Sequence, residues 1–319
     1  MIKLSNGHII KYVIASGALA FDGLGWLWER FLVWLGFIKP QLFAVVLKTL
    51  TRHPRRGNLR WWAPWRCVAL ILGGAVNKVG LTNRGFDWWF GHIAPRLNYK
   101  KYRLIASIFG DQEELVYMAE KLNRYNFVAV EVNYSCPNAD HSSQVDAIVK
   151  ALEALKRFCR HPLIIKLGVD QDCLVISARL VGVVEAISLN SVKWEIAFPG
   201  QQSPLHQLEK QVGGGGGGVS GKPAQVHNWA MVKALADQGS IPVIAPSIME
   251  FDDINHATYG LGAKAWSCGT IHLPSYPPWR KPWTIFTNPC KPTQFVQRLQ
   301  ARERHINRQR LKNYQSQNS

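Results

Sequence analysis

Acidic side chains are scarce in this 319-residue sequence: 21 Asp and Glu stand against 38 Lys and Arg, a formal net charge of +17. Charge of either sign is sparse at 18%, while hydrophobic residues reach 47%, a balance that excludes a disordered chain. The six cysteines (Cys67, Cys136, Cys159, Cys173, Cys268, Cys290) form no CxxC pair and no Cys/His cluster, which argues against a zinc module or disulfide scaffold and for reduced thiols in the cytoplasm. The ten histidines lack metal-ligand spacing, so no metal is expected. Missing too are a signal-peptide apolar core and any uncharged run of about 18 apolar residues. The nearest, Trp26 to Ile38, carries Glu29 and Arg30 and reads as an amphipathic helix.

The positive charge is clustered. Arg30 to Gly110 holds fourteen basic residues and one acid, Asp87; Arg298 to Lys312 holds six and one, Glu303. Such clusters attract phosphates, but no nucleic-acid motif accompanies them, so the expected role is a solvated basic face. The thirteen tryptophans, including Trp61, Trp62, Trp65, Trp88 and Trp89, are expected to cover the barrel bottom or a subunit contact rather than to form a membrane-facing or quinone-facing patch.

Eight apolar runs recur at helix-length intervals: Tyr12–Ser16, Ala44–Lys48, Arg103–Ser107, Phe127–Asn133, Leu163–Leu167, Ala186–Asn190, Pro242–Ala245 and Ala265–Cys268. Candidate helices lie at Asp22–Leu35, Arg84–Leu97, Gln112–Asn123, Gln144–Phe158, Gln171–Leu180, Gln225–Gln238, Phe251–Tyr259 and from Thr293 onward. Apolar strands alternating with helices predict an α/β fold, a (β/α)8 TIM barrel with a long insertion after the second strand and a basic C-terminal helix. The expected division is a barrel over 1–290 and a helix and tail over 291–319. Gly213–Gly218, between the sixth and seventh strands, reads as a flexible tether or lid.

Active sites of such barrels are built at the C-terminal strand ends, and here those ends are polar. They carry Ser16-Gly17, Lys48-Thr49, Ser107, Asn133, Lys166, Asn190-Ser191, Ser247 and Gly269-Thr270. Lysines ending apolar strands need an anion nearby, so Lys48 and Lys166 point to a polar, anionic, planar ligand. In Glu131-Val-Asn-Tyr-Ser-Cys-Pro-Asn138 a thiol leaves a strand between two amides, and Cys136 there suits a nucleophile or a general base.

These residues resemble the dihydroorotate dehydrogenases, specifically the class 1 type with Cys at the catalytic position. Similar to family motifs, in order, are Ala15-Ser-Gly17; Val45-Val-Leu-Lys-Thr-Leu-Thr51 with Pro54 and Gly57-Asn58; Asn77-Lys-Val-Gly-Leu-Thr-Asn83; Ile164-Ile-Lys-Leu167; Asn190-Ser191; Gly218-Val-Ser-Gly-Lys-Pro223; and Cys268-Gly-Thr270. The resemblance implies FMN across the barrel mouth, held by Ala15, Ser16, Gly17, Lys48, Thr49, Ser107, Asn133, Lys166, Gly221, Ser247, Gly269 and Thr270. It implies a dihydroorotate site of Lys48, Asn77, Gly80, Leu81, Asn133, Asn138, Asn190 and Ser191. Cys136, with Lys48 beside it, would take the C5 proton while hydride leaves C6 for the flavin, under a loop running from Tyr134 to about Gln144. The chain departs from the family at Ala245-Pro-Ser-Ile248, where Pro246 has no N–H to offer a phosphate and Ser247 is the expected substitute, and at Ser107, where Asn is usual.

A cytoplasmic homodimer is implied, with an iron–sulfur flavoprotein as a possible electron-transfer subunit; the class that carries an N-terminal membrane extension is disfavoured because the first strand begins at Tyr12. Nucleic acid and membrane are not expected partners. Two other readings stay open: a flavin oxidoreductase resembling the dihydropyrimidine dehydrogenases, and a flavin-less barrel that binds through its basic surface. The GxxxxGK spacing from Gly216 ends in Pro223 rather than the Ser or Thr that a phosphate-binding loop needs.

Overall fold

A computed structural model describes residues 1–60, 62–135 and 145–317. Eight strands form the barrel: β1 (Tyr12–Ile14), β2 (Ala44–Val46), β3 (Arg103–Phe109), β4 (Ala129–Asn133), β5 (Leu163–Leu167), β6 (Ala186–Leu189), β7 (Val243–Ala245) and β8 (Ala265–Cys268). Each pairs in parallel with the next, and β8 closes on β1 through the register Trp266 with Tyr12. This is the expected (β/α)8 barrel. All residues of β4, β5, β6 and β8 are buried, as strands covered on both faces must be.

Side chains alternate across a strand, so one set faces the helices and the other the barrel axis. The outer set, with Ile14, Val45, Leu104, Ile108, Val130, Val132 and Ile165, packs on the helices. The inner set is small and apolar at the bottom: Val13, Ala44, Ile105, Ala129, Ile164, Ala186, Ile244 and Ala265 cluster with Ile2, Leu4 and Ile10 from the hairpin Ile2–Lys3/Ile9–Ile10, which plugs that end. Two residues further along, the same inner rows turn polar at Ser107, Glu131, Lys166, Ser188 and Ser267, all buried. The barrel therefore has a dry floor and a polar mouth.

The helices follow their sequence signals. Gln112–Leu122 opens on Asp111, whose carboxylate accepts the Glu114 N–H at 2.9 Å while Glu114 accepts the Asp111 N–H, a reciprocal cap. Val145–Phe158 buries Ile148, Val149, Leu152 and Leu155, one stripe at helical spacing. The basic C-terminal helix runs Lys291–Gln317. Some bounds differ from expectation. The first mouth helix covers only Leu27–Trp34, because Asp22 takes the Leu24 N–H at 3.0 Å and holds a turn before it.

The two long insertions meet beside the mouth. Val192–Lys193, Gly218–Gly221, Gly74–Asn77 and Val68–Ile71 form a four-stranded antiparallel sheet in that order. The glycine run is thus no free tether: Gly216 to Gly218 are buried, and a Cβ on Gly216 would lie 2.8 Å from Trp194 Cγ and from Ser203 Cβ. The run is glycine where backbone packs directly on an indole. Lys78, also buried, donates its ammonium to Gly215 O, and its removal from water lowers its pKa. Of the tryptophans expected to cover the barrel, Trp89 is buried in the core, donating to Phe21 O at 2.8 Å, whereas Trp62 and Trp65 are exposed and Trp61 lies outside the described residues.

Candidate active site at the barrel mouth

The mouth is laced by one chain of hydrogen bonds. Ser16 Oγ donates to Leu47 O at 2.8 Å and lies 3.0 Å from Thr49 Oγ1, which is 2.9 Å from Ser107 Oγ. Ser107 donates to Glu131 Oε1 at 3.1 Å, and that oxygen is 3.7 Å from Lys166 Nζ. A branch leaves Thr49: Asn133 Nδ2 donates to its hydroxyl at 3.0 Å, Ser135 Oγ donates to Asn133 Oδ1 at 2.7 Å, and Asn190 Nδ2 donates to Ser135 O at 3.3 Å. Hydrogen bonds tie five strand ends together, and the Glu131–Lys166 ion pair adds a sixth. Thr49, Ser107, Glu131, Asn133, Ser135 and Lys166 are buried, with Ser16 and Asn190 half-buried at the ends, so their partners fix their orientation.

Lys166 corrects one expectation. The sequence sets it at a strand end in need of a ligand anion, yet its buried ammonium already faces the buried Glu131 carboxylate. Glu131 and Ser135 went unassigned in the sequence; the signal was an ionisable residue on an inner row two positions before Asn133.

Other expected residues gather at the rim. Lys48 is half-buried, and its chain runs past Gly17, on which a Cβ would be 3.6 Å from Lys48 Cδ. Ala15 sits against Gly269, where a Cβ would meet Ala15 Cβ at 3.1 Å. Gly221 lies against Thr270: with φ +86, a Cβ there would stand 3.3 Å from Thr270 Cγ2, 2.6 Å from Gly73 O and 2.7 Å from Gly74 Cα. Gly221 also precedes helix Lys222–Gln238; the Lys222 N–H donates to Gly73 O at 2.9 Å and Pro223 has none, so it is the positive end of the helix dipole that favours an anion there. Ser247 takes φ +63, and its carbonyl accepts Gln225 Nε2 at 2.8 Å. Hydroxyls, amides and an ammonium on one side of the mouth, with the positive end of a helix dipole on the other, suit a flavin and its phosphate in the chemistry of their donors.

On the antiparallel sheet Asn77 Nδ2 donates to Gly218 O at 3.3 Å, and the following turn is pinned by Asn58, which donates to Lys78 O at 2.8 Å. Gly80 and Leu81 both take positive φ in that turn. Ser191 is half-buried beyond Asn190. Cys136 and Asn138 lie outside the described residues. A separate cleft of about 610 Å³, lined by Trp194, Glu195, Phe198, Ser203, His206 and Glu209 among others, contains none of the expected site residues.

Compared with known proteins, residues 34–266 match the profile of the family described as dihydroorotate dehydrogenase. The chain belongs to the dihydroorotate dehydrogenase family. Members of this family are flavin enzymes. The chain is 28% identical over 215 residues to the catalytic subunit of dihydroorotate dehydrogenase B (NAD(+)) from Carboxydothermus hydrogenoformans, covering 65% of this chain and 67% of that one. Proteins of the same name from Bacteroides fragilis and Listeria monocytogenes are 27% and 25% identical over 239 and 241 residues, covering 72% and 73% of this chain and 76% of each relative.

Proposed function

We propose that this chain oxidises dihydroorotate to orotate, a step in making the pyrimidine nucleotide UMP, with FMN as its flavin. The observation that carries the reading is the polar inner row, Ser107, Glu131, Asn133, Lys166 and Asn190, set above an apolar floor at the mouth of a barrel of this family. Ala15, Ser16, Gly17, Thr49, Ser107, Asn133 and Lys166 hold the ring, and Gly221, Ser247, Gly269 and Thr270 the phosphate. The dipole of the helix that follows Gly221 supports the second assignment.

Bound there, FMN supplies the acceptor for the hydride that leaves C6. Cys136 takes the C5 proton, so that one proton and one hydride depart and the C5–C6 bond becomes double. Lys48 balances the substrate carboxylate, a role supported by its place between Gly17 and the Thr49 network. The side chains of Asn77, Asn133, Asn138, Asn190 and Ser191, with the backbone of Gly80 and Leu81, hold the ring amides. The designation of the relatives as catalytic subunits supports a further subunit beside this one. In this reading that subunit is of the iron–sulfur flavoprotein kind and the core is a cytoplasmic homodimer.

The test is the purified protein itself. It is expected to be yellow, to release FMN on denaturation, and to bleach anaerobically when dihydroorotate is added. Colourless protein that FMN does not reconstitute, or yellow protein that dihydroorotate leaves oxidised, overturns the reading.

A further inference from the structure

Helix Leu27–Trp34 is amphipathic the wrong way round for a protein in water. Its one carboxylate, Glu29, is buried: Oε1 is 2.8 Å from His272 Nδ1, and Oε2 accepts the Trp26 N–H at 2.9 Å. Outward it presents Leu27, Trp28, Phe31 and Trp34, a single stripe at helical spacing, with Leu27 85% and Trp34 78% exposed.

A second segment extends the same face. Helix Thr284–Thr287 packs against Leu27–Trp34, and the chain leading to it, Tyr276-Pro-Pro-Trp-Arg-Lys-Pro-Trp283, leaves Trp279, Trp283 and Phe286 exposed with Arg280 and Lys281 between them. From Ile271 to Cys290 there is no Asp or Glu, and from Gly23 to Lys39 the only one is the buried Glu29. Asp22, at the edge, is engaged by Arg30. The patch is therefore aromatic, basic and without an exposed carboxylate of its own.

Tryptophan favours the headgroup level of a bilayer, and arginine and lysine beside it favour anionic lipid. An anionic surface is attracted to a patch that carries Arg280 and Lys281 and no exposed carboxylate, on a chain of net charge +17. We propose that this face, helix Leu27–Trp34 with Tyr276–Phe286, docks the protein peripherally on an anionic phospholipid surface. This proposal departs from the expectation of no membrane partner, because periodicity alone does not show that these aromatic side chains point outward. The Trp26 indole donates to Gly17 O at 3.0 Å, so the docked helix is fastened to the first loop of the mouth.

The experiment is cosedimentation of the full chain with vesicles of phosphatidylcholine and phosphatidylglycerol, against phosphatidylcholine alone. Binding to the anionic vesicles with a blue shift of tryptophan emission is expected. It should weaken about tenfold or more in Phe31→Ser/Trp34→Ser and in Arg280→Glu/Lys281→Glu, and persist in Arg304→Gln/Arg308→Gln of the distant C-terminal helix. Absence of binding overturns the proposal. So does equal loss in the C-terminal variant, which would mean adsorption by net charge, or a Trp34 change that only dissociates an oligomer or releases a protein partner. Should a variant misfold, wild-type emission decides: no quenching by brominated lipid overturns the proposal.

Discussion

Glu131 Oε1 stands 3.7 Å from Lys166 Nζ on the neighbouring strand, with only 3% and 6% of the two side chains exposed. Removing one member of such a pair strands the other charge away from water. Glu131→Gln is expected to lower stability by about 3 kcal/mol in urea unfolding, and Lys166→Met added to it to restore much of the loss. If the flavin is bound, Glu131→Gln leaves Lys166 uncompensated beside it and moves the flavin potential in the positive direction. An additive double variant would show that the two charges do not interact.

Thr49 is the branch point of the mouth network, with Ser16, Ser107 and Asn133 all 2.9–3.0 Å from its hydroxyl. Thr49→Val keeps the shape and leaves buried donors unpaired, at a cost of about 2 kcal/mol, whereas Thr49→Ser stays near wild type. Urea midpoints of the two variants check this.

The barrel was legible because burial on both faces of a parallel strand leaves an unbroken apolar run, and the polar ends stood out against those runs. What stayed hidden was register. Lys166 pairs with Asn133, which sets Glu131 on the diagonal, and nothing in either strand alone reveals it. The glycine run was misread for a related reason: its lack of side chains looks like freedom until the indole of Trp194 is found in the space a Cβ would take. The outward stripe on Leu27–Trp34 was hidden too, since periodicity locates an apolar face without saying which way it points.

Gly221→Ala tests the phosphate cradle. The new methyl meets Gly73 O at 2.6 Å in a backbone with φ +86, and the variant is expected to lose its flavin on gel filtration and about 2 kcal/mol of stability. Gly182→Ala, at φ +80 with nothing within 4 Å, carries the backbone strain without the clash and should keep its flavin. Equal retention in both would remove Gly221 from the cofactor site.

Thiol reactivity is expected to separate Cys136 from the rest. Burial pushes Cys67 and Cys159 up to about 11 and Cys173 up to about 12, and raises Cys268 and Cys290 as well. A raised thiol pKa keeps the group protonated until the pH approaches it, so at pH 8 the thiolate fraction of Cys67 is on the order of 0.1%. Native-state iodoacetamide at pH 8 is expected to label Cys136 first, with loss of dihydroorotate oxidation and protection by orotate, as peptide mapping would record. Replacing Cys136 by Ala should leave flavin bound and slow its reduction about 10²-fold or more. Unchanged single-turnover reduction would assign the proton transfer elsewhere.

The closing contact of the barrel joins Tyr12 to Trp266, nearly the whole sequence apart. On a ribosome adding about 5–20 residues per second, the first strand waits on the order of 10–50 s for its last neighbour. Until β8 emerges, β1, with Val13 and Ile14, has no neighbour on its far side, and an open parallel edge of that kind is a surface on which nascent chains aggregate. Synthesis rate and chaperone supply, more than final stability, should therefore govern the yield of soluble protein.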